Sequence, residues 1–334
     1  MRFLNVVRGT LPALNSRAAH QFKKYYFADR PVDLAEIREF RGDAFPASGP
    51  LCWLDQPDAL AEVERKRCEG LITDADAAMC KQWIFRGYLI VNALIPDAEL
   101  DEAWQAYEKA IEEGVITVDP EPHGPDDPYP GRRLDPHRQI PAIRKLQHHP
   151  KILHITNLLF GVKSLPFQTI MGHKGSAQHA HSDTIHMTTY PLGYLIANWI
   201  AFEDIHEDSG PLEYYPFSHR VVPTALSRDV GIAPEEFKKG GYSIYSERYE
   251  PHIRNCIEAS RLKPEYFLAK KGDVLFWHAN LLHGGAPRRN LQLSRKALVC
   301  HYFAEGAVTY HDLSGNPSRL HRNGMYAPPV IDEG

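Results

Sequence analysis

Residues 164–191 read SLPFQTIMGHKGSAQHAHSDTIHMTTYP. The two ends of this stretch, SLPFQTIMGHK and TIHMTTYP, are short runs of β-branched, aromatic and aliphatic residues bounded by Gly and Pro, the composition of strands. Working outward toward the C-terminus, YLIANWIAFEDI, PLEYYP, YFLAKKGDVLFW and KALVCHYFAEG repeat the pattern. Many short strands divided by turn residues predict a sandwich or barrel. Toward the N-terminus the period changes. GYLIVNAL reads as one strand; Pro96 and Asp97 then open a helix on which Leu100, Ala103, Trp104, Tyr107 and Ile111 recur at helical spacing, and Gly114 closes it. PAIRKLQHHPKILHITNLLFG predicts a second helical region, broken at Pro150 and ended by Gly161. Helices first and strands afterwards predict an α+β domain, a jelly-roll core with flanking helices.

Between the two helical regions lies VDPEPHGPDDPYPGRRLDPHRQ, rich in Pro, Gly and Asp. It is read as free of regular structure, a lid-like loop over about residues 118–140. Its Arg132, Arg133 and His137 suit an anionic substrate or a solvated surface equally. Residues 1–80 are read as an extension packed on the core, and residues 81–334 as the main domain. The first acid of the chain is Asp29, after Arg2, Arg8, Arg17, Lys23 and Lys24. This basic arm is first a structural element, and secondly a candidate for peripheral membrane contact.

Composition narrows the function. A net charge of -4 argues against a general nucleic-acid binder. No apolar run approaches the roughly 20 residues of a membrane-spanning helix. Five scattered cysteines, never spaced as CxxC, argue against a disulfide framework or a cysteine zinc site and fit a reducing cytoplasm. A small-molecule substrate is the expected partner; the oligomeric state is left open.

The centre of the opening stretch holds His179, His181, Asp183 and His186. On an extended strand side chains alternate, so His179, His181 and Asp183 would share one face and His186 the other. Imidazole and carboxylate together suit a divalent first-row metal, and two histidines with one carboxylate describe non-haem Fe(II) oxygenases. His-x-Asp supplies two ligands; a third must come from elsewhere. A cupin-type motif beginning at His179 would require a glutamate that is absent from SDTIHM. Downstream, GDVLFWHANLLHGGAPRRNLQLSRKALVCHYF offers His278 and His283, then Arg288, Arg289 and Arg295. An arginine beside a metal can grip a carboxylate bidentately, as the far end of a 2-oxo acid requires.

HSD, NWIAFEDIHEDSGPLEYYPFSHR, HGGAPRRNLQLSRKAL and the earlier GYLIVNALIPDAELDEAW resemble the phytanoyl-CoA dioxygenase (PhyH) family of Fe(II)/2-oxoglutarate-dependent oxygenases. The resemblance covers roughly residues 84–305. It implies a double-stranded β-helix, the jelly-roll or cupin-like barrel, and a dioxygenase that uses Fe(II), 2-oxoglutarate as cosubstrate and O2. By the same resemblance His181, Asp183 and His283 match the metal ligands, Arg295 the arginine that pairs with the cosubstrate carboxylate, Trp199 a tryptophan beside the cosubstrate, and Gln178 a further contact. His301 would share a strand face with Arg295. Retention of Asp183 implies hydroxylation rather than halogenation. The family's PGSH turn reads PFSH here, which implies a different backbone at Phe217. The expected reaction is hydroxylation of an unactivated C–H in a small-molecule, sugar or lipid-linked substrate, with release of succinate and CO2. The alternatives are a non-oxidative metalloenzyme on the same barrel (a zinc hydrolase or cupin-like isomerase) and a binding protein that has lost its chemistry.

Overall fold

The computed structural model describes residues 52–118, 127–190, 192–305, 307–320 and the backbone of 326–329. The basic arm and the first part of the lid-like loop, residues 119–126, lie outside the described residues.

The helix Asp74–Arg86 starts at a capping box, in which the Thr73 hydroxyl accepts from Asp76 N–H and the Asp76 carboxylate accepts from Thr73 N–H. A boundary drawn at residue 80 would run through this helix. Together with Ala59–Cys68 it buries Val63, Ala77, Cys80 and Trp83 in the main core, so the described part of the extension is built into the domain. The chain then forms β1 (Tyr88–Val91) and the helix Asp97–Glu112, which buries Leu100, Ala103, Trp104, Tyr107 and Ala110 along one stripe. The expected break at Pro150 divides Pro141–Gln147 from Pro150–Phe160, and Gly161 ends the second helix at φ 71°.

The described end of the lid-like loop corrects the reading of it as irregular. Residues Arg133–Leu134 form a short strand, β2, and Pro136–Arg138 a 3-10 turn. Asp135 between them has φ 54°; its carboxylate accepts from Thr169 N–H, and its own N–H donates to Thr169 O. A polar, proline-rich segment is thereby satisfied as an edge strand.

The remaining strands follow in order: β3 (Ser164–Gly172), β4 (Thr188–Tyr190), β5 (Leu195–Ala201), β6 (Leu212–Tyr214), β7 (Glu265–Phe267), β8 (Val274–His278), β9 (His283–Gly285), β10 (Ala297–Ala304), β11 (Val308–His311), β12 (Asn316–Leu320) and β13 (Tyr326–Pro329). The largest sheet runs β1-β8-β5-β10-β3-β2, antiparallel throughout. Smaller sheets run β7-β6-β9 and β13-β12-β11-β4. Alternation along β5 divides the core between the faces of the large sheet. Ile196 and Ile200 pack against the helices, while Ala197, Trp199 and Ala201 meet Leu212, Tyr214 and Phe267 of the small sheet. Sheet on sheet with helices outside is the jelly-roll expected.

Besides the single turn of helix at Ser218–Val221, two longer helices depart from the expectation of strands throughout the second half. Pro234–Gly240 and Tyr242–Ser260 stand between β6 and β7. The longer one carries Pro251 inside it, yet Tyr245, Tyr249 and Ile253 still recur on one buried face. Phe217 holds φ 68°, the left-handed conformation more usual for glycine.

Candidate metal and cosubstrate site

The opening stretch is not one extended strand. His181 pairs with His283 through a single antiparallel bridge, His181 N–H to His283 O at 2.9 Å and the reverse at 3.0 Å. The chain then turns into a 3-10 helix at Asp183–Ile185. The bridge makes neighbours of two histidines about a hundred residues apart in sequence. Gly284 and Gly285 permit the approach: a Cβ at Gly284 would stand 2.7 Å from Gln178 O, and one at Gly285 2.8 Å from Ala177 N.

Each of these imidazoles is oriented in the same way. His181 Nδ1 lies 2.8 Å from His179 O and His283 Nδ1 2.9 Å from Leu281 O. A carbonyl only accepts, so both Nδ1 atoms carry the proton and both Nε2 lone pairs are available to a metal. Those Nε2 atoms lie 3.8 and 3.7 Å from Asp183 Oδ1, and one donor atom from each of the three residues lies within 4.8 Å of the others. All three side chains are buried. Burial, and then the neighbouring His283, pushes the His181 imidazole down to about 4. Burial alone would raise the Asp183 carboxyl, but His283, His301 and His181 outweigh it and hold it far below the usual range. Two neutral imidazoles and one carboxylate form a donor set that fits a divalent first-row cation. Asp183 Oδ2 accepts from Trp277 Nε1 at 2.8 Å, and His301 Nε2 stands 3.7 Å from that oxygen. Strand alternation would have put His186 on the opposite face. The 3-10 turn instead brings its ring to 6.0 Å from that of His181, on the same cavity.

That cavity, about 470 Å³, is also lined by Gln178, Trp199, Arg295 and His301. Arg295 is buried, 5.8 Å over the Trp199 ring, and donates from Nη1 to Gly210 O; its Nε has no partner among the described residues. No acid lies within ion-pair distance of it among the described residues. Burial, and then Arg288, lowers the guanidinium to about 10. Gly175 faces the guanidinium so closely that a Cβ there would come within 3.3 Å of Arg295 Cζ. A buried guanidinium without a counter-ion is a site prepared for an anion. Glu203, which reads as part of a solvated acidic turn, accepts from Lys296 N–H and Ser294 Oγ and so brackets Arg295 on both sides.

The competing residues are accounted for elsewhere. His278 is buried on the helix-facing side, with Nε2 3.2 Å from Asp55 Oδ2 and Nδ1 accepting from Asn280 N–H. His179 is exposed and contributes its carbonyl. Arg289 is exposed, as a polar turn suggests. Arg288 is not: its buried guanidinium pairs bidentately with Asp127 at 2.5 and 3.2 Å, and Lys174 reaches the same carboxylate at 3.0 Å. Of the loop residues, Arg132 lines the cavity, Arg133 donates to Thr117 O and His137 meets the Thr169 hydroxyl. No described helix is long and apolar enough to cross a membrane.

The phytanoyl-CoA dioxygenase (PhyH) family model matches residues 86–297. The chain is 23% identical over 248 residues to human peroxisomal phytanoyl-CoA dioxygenase, covering 69% of this chain and 68% of that protein. Among solved structures it is similar to EctD from S. alaskensis with 2-oxoglutarate and 5-hydroxyectoine, at TM-score 0.57 and 16% identity over 79% of this chain and 88% of that one. It is likewise similar to the carbocyclase SnoK from nogalamycin biosynthesis, at TM-score 0.54 and 17% identity over 86% and 92% of the two chains. These likenesses show the shared fold, and the family match, which spans most of the chain, shows that the protein belongs to the phytanoyl-CoA dioxygenase family and is a dioxygenase.

Proposed function

We propose that the protein is an Fe(II)- and 2-oxoglutarate-dependent hydroxylase of a small molecule, with His181, Asp183 and His283 as metal ligands and Arg295 as the anchor of the cosubstrate's far carboxylate. The observation that carries this reading is the pairing of two features in one cavity: a buried His–Asp–His donor set, and a buried guanidinium with no acid beside it. A zinc hydrolase or isomerase on the same barrel accounts for the first feature and gives Arg295 no task. When bound, Fe(II) and 2-oxoglutarate supply the oxidising power drawn from O2 that turns a C–H into a C–OH, with release of succinate and CO2. The chain's own contributions are positional. His179 O and Leu281 O hold the two imidazoles with Nε2 inward, Trp277 holds Asp183, and Arg295 and Trp199 offer a charged and a flat apolar surface to the cosubstrate. Gln178 lines the same cavity and is the further contact.

The test is an anaerobic titration of the Fe(II)-loaded protein with 2-oxoglutarate, following the visible absorption of the bound cosubstrate. A saturable band in the wild-type protein that is lost in His283→Ala is the expected result. No band at any cosubstrate concentration, with Fe(II) demonstrably bound, would overturn the reading.

A further inference from the structure

The cavity above the metal-ligand residues has two unlike ends. At the inner end the charges are cationic: Arg295, with Arg288 and Lys174 behind it sharing one carboxylate. The outer wall is supplied by the helix Tyr242–Ser260, which presents Tyr242, Tyr245, Ser246 and Glu250 to the cavity at helical spacing. Tyr242 and Tyr245 meet edge-on at 5.7 Å, and each also touches the His186 ring, at 5.9 and 5.0 Å. His311 stacks on His186 at 6.2 Å. Burial pushes the His311 imidazole down to about 4, so at neutral pH it is an uncharged ring. Glu250 is half-buried and makes no hydrogen bond or ion pair with any described residue, and the Tyr245 hydroxyl has no hydrogen-bond partner among them either. A carboxylate next to the Tyr245 ring offers an ammonium an ion pair, and a tyrosine face attracts the same ammonium through the ring quadrupole.

We infer that this helix wall is the substrate-recognition site and that it takes a cationic amine, its ammonium over Tyr245 and paired with Glu250. The inference rests on the reading above in one respect, that the substrate enters this cavity. An anionic group is served at the inner end, where the cations are. An unbranched acyl chain would bring no cation to the half-buried Glu250.

Metal-free, full-length protein titrated with tetramethylammonium and with tert-butanol, its neutral counterpart of similar shape, tests this by ligand-observed NMR. Neither iron nor cosubstrate is needed, so failure here and failure of the absorption test above are separate results. The cation is expected to bind roughly tenfold more tightly than the alcohol. Glu250→Gln and Tyr245→Leu should each remove most of that preference. A general loosening of the fold would weaken the cation and the alcohol alike, so the ratio of the two affinities separates it from loss of the site. Equal binding of the two probes to the wild-type protein overturns the inference whatever the variants do, and so does an unchanged preference in a folded Glu250→Gln protein.

Discussion

The inner and outer ends of one cavity are built by different means. At the inner end the three candidate ligands and Arg295 are held by backbone or by a buried neighbour. The two imidazoles are tied to carbonyls two residues before them, Asp183 to Trp277, and Arg295 to Gly210 O with Gly175 pressed against it. At the outer end the tyrosines and Glu250 stand on a helix inserted between two strands. Placing ligands on strand ends and a bridge gives the geometry that metal chemistry needs. Placing recognition on an insert leaves it replaceable without disturbing the strands. The comparison teaches that reaction and specificity are separable in this molecule, and it can be broken at several points.

The largest effect is expected at the inner end. Arg295→Ala removes the buried cation itself, and 2-oxoglutarate affinity should fall by at least about a hundredfold while Fe(II) still binds, because one partner of a buried charge pair typically accounts for several kcal/mol. Equilibrium dialysis of each ligand measures the two separately; normal cosubstrate affinity would remove Arg295 from the site.

Asp127→Asn tests the fastening of the loop. Burial alone would raise the Asp127 carboxyl, but the bonds from Arg288 and Lys174 outweigh it and hold it far below the usual range. A carboxyl depressed on folding stabilises the protein above its unfolded value of 3.8, and that contribution is lost as pH falls below it. The variant leaves two buried cations unpaired, which should lower stability by about 3 kcal/mol at pH 7 and abolish this acid-dependent part. Chemical denaturation at pH 7 and pH 3 reads both; an unchanged difference between the two pH values would show that the loop is held otherwise.

Trp277→Phe removes the donor to Asp183 Oδ2 and keeps the ring volume. Fe(II) affinity should fall by about 10- to 100-fold, the usual effect of losing a partner that orients a ligand. Unchanged affinity would mean that His301 and the backbone suffice to hold the carboxylate.

The smallest effect is expected at Phe217. A residue with a Cβ held in the left-handed region costs about 1–2 kcal/mol. Glycine relieves this but gives up the contact with Arg86, whose guanidinium lies 4.9 Å from the ring centroid. Phe217→Gly should therefore raise stability by less than about 1 kcal/mol. A clear loss in thermal unfolding would show that the ring, not the backbone, sets this turn.

The sequence by itself determined the class of fold and the identity of the candidate ligands. Strand composition after residue 164 survives tertiary context because alternating side chains must divide between two faces of a sheet, as Ile196 and Ala197 do. His181, Asp183, His283 and Arg295 were legible from residue type and from a family resemblance that runs along the chain. Period-2 reasoning failed where a 3-10 turn interrupted it, so only the structure put His186 on the cavity rather than behind it. The helix Tyr242–Ser260 carried a legible stripe of tyrosines, obscured by the proline within it. Asp127, Lys174 and Arg288 have no common signal in sequence, because charge pairing across more than a hundred residues depends on which loops the sheets bring together. Tertiary structure alone decided that Arg288 is neutralised while Arg295 is left buried without an acid among the described residues: burial makes an unpaired charge meaningful, and burial is a property of the packed molecule.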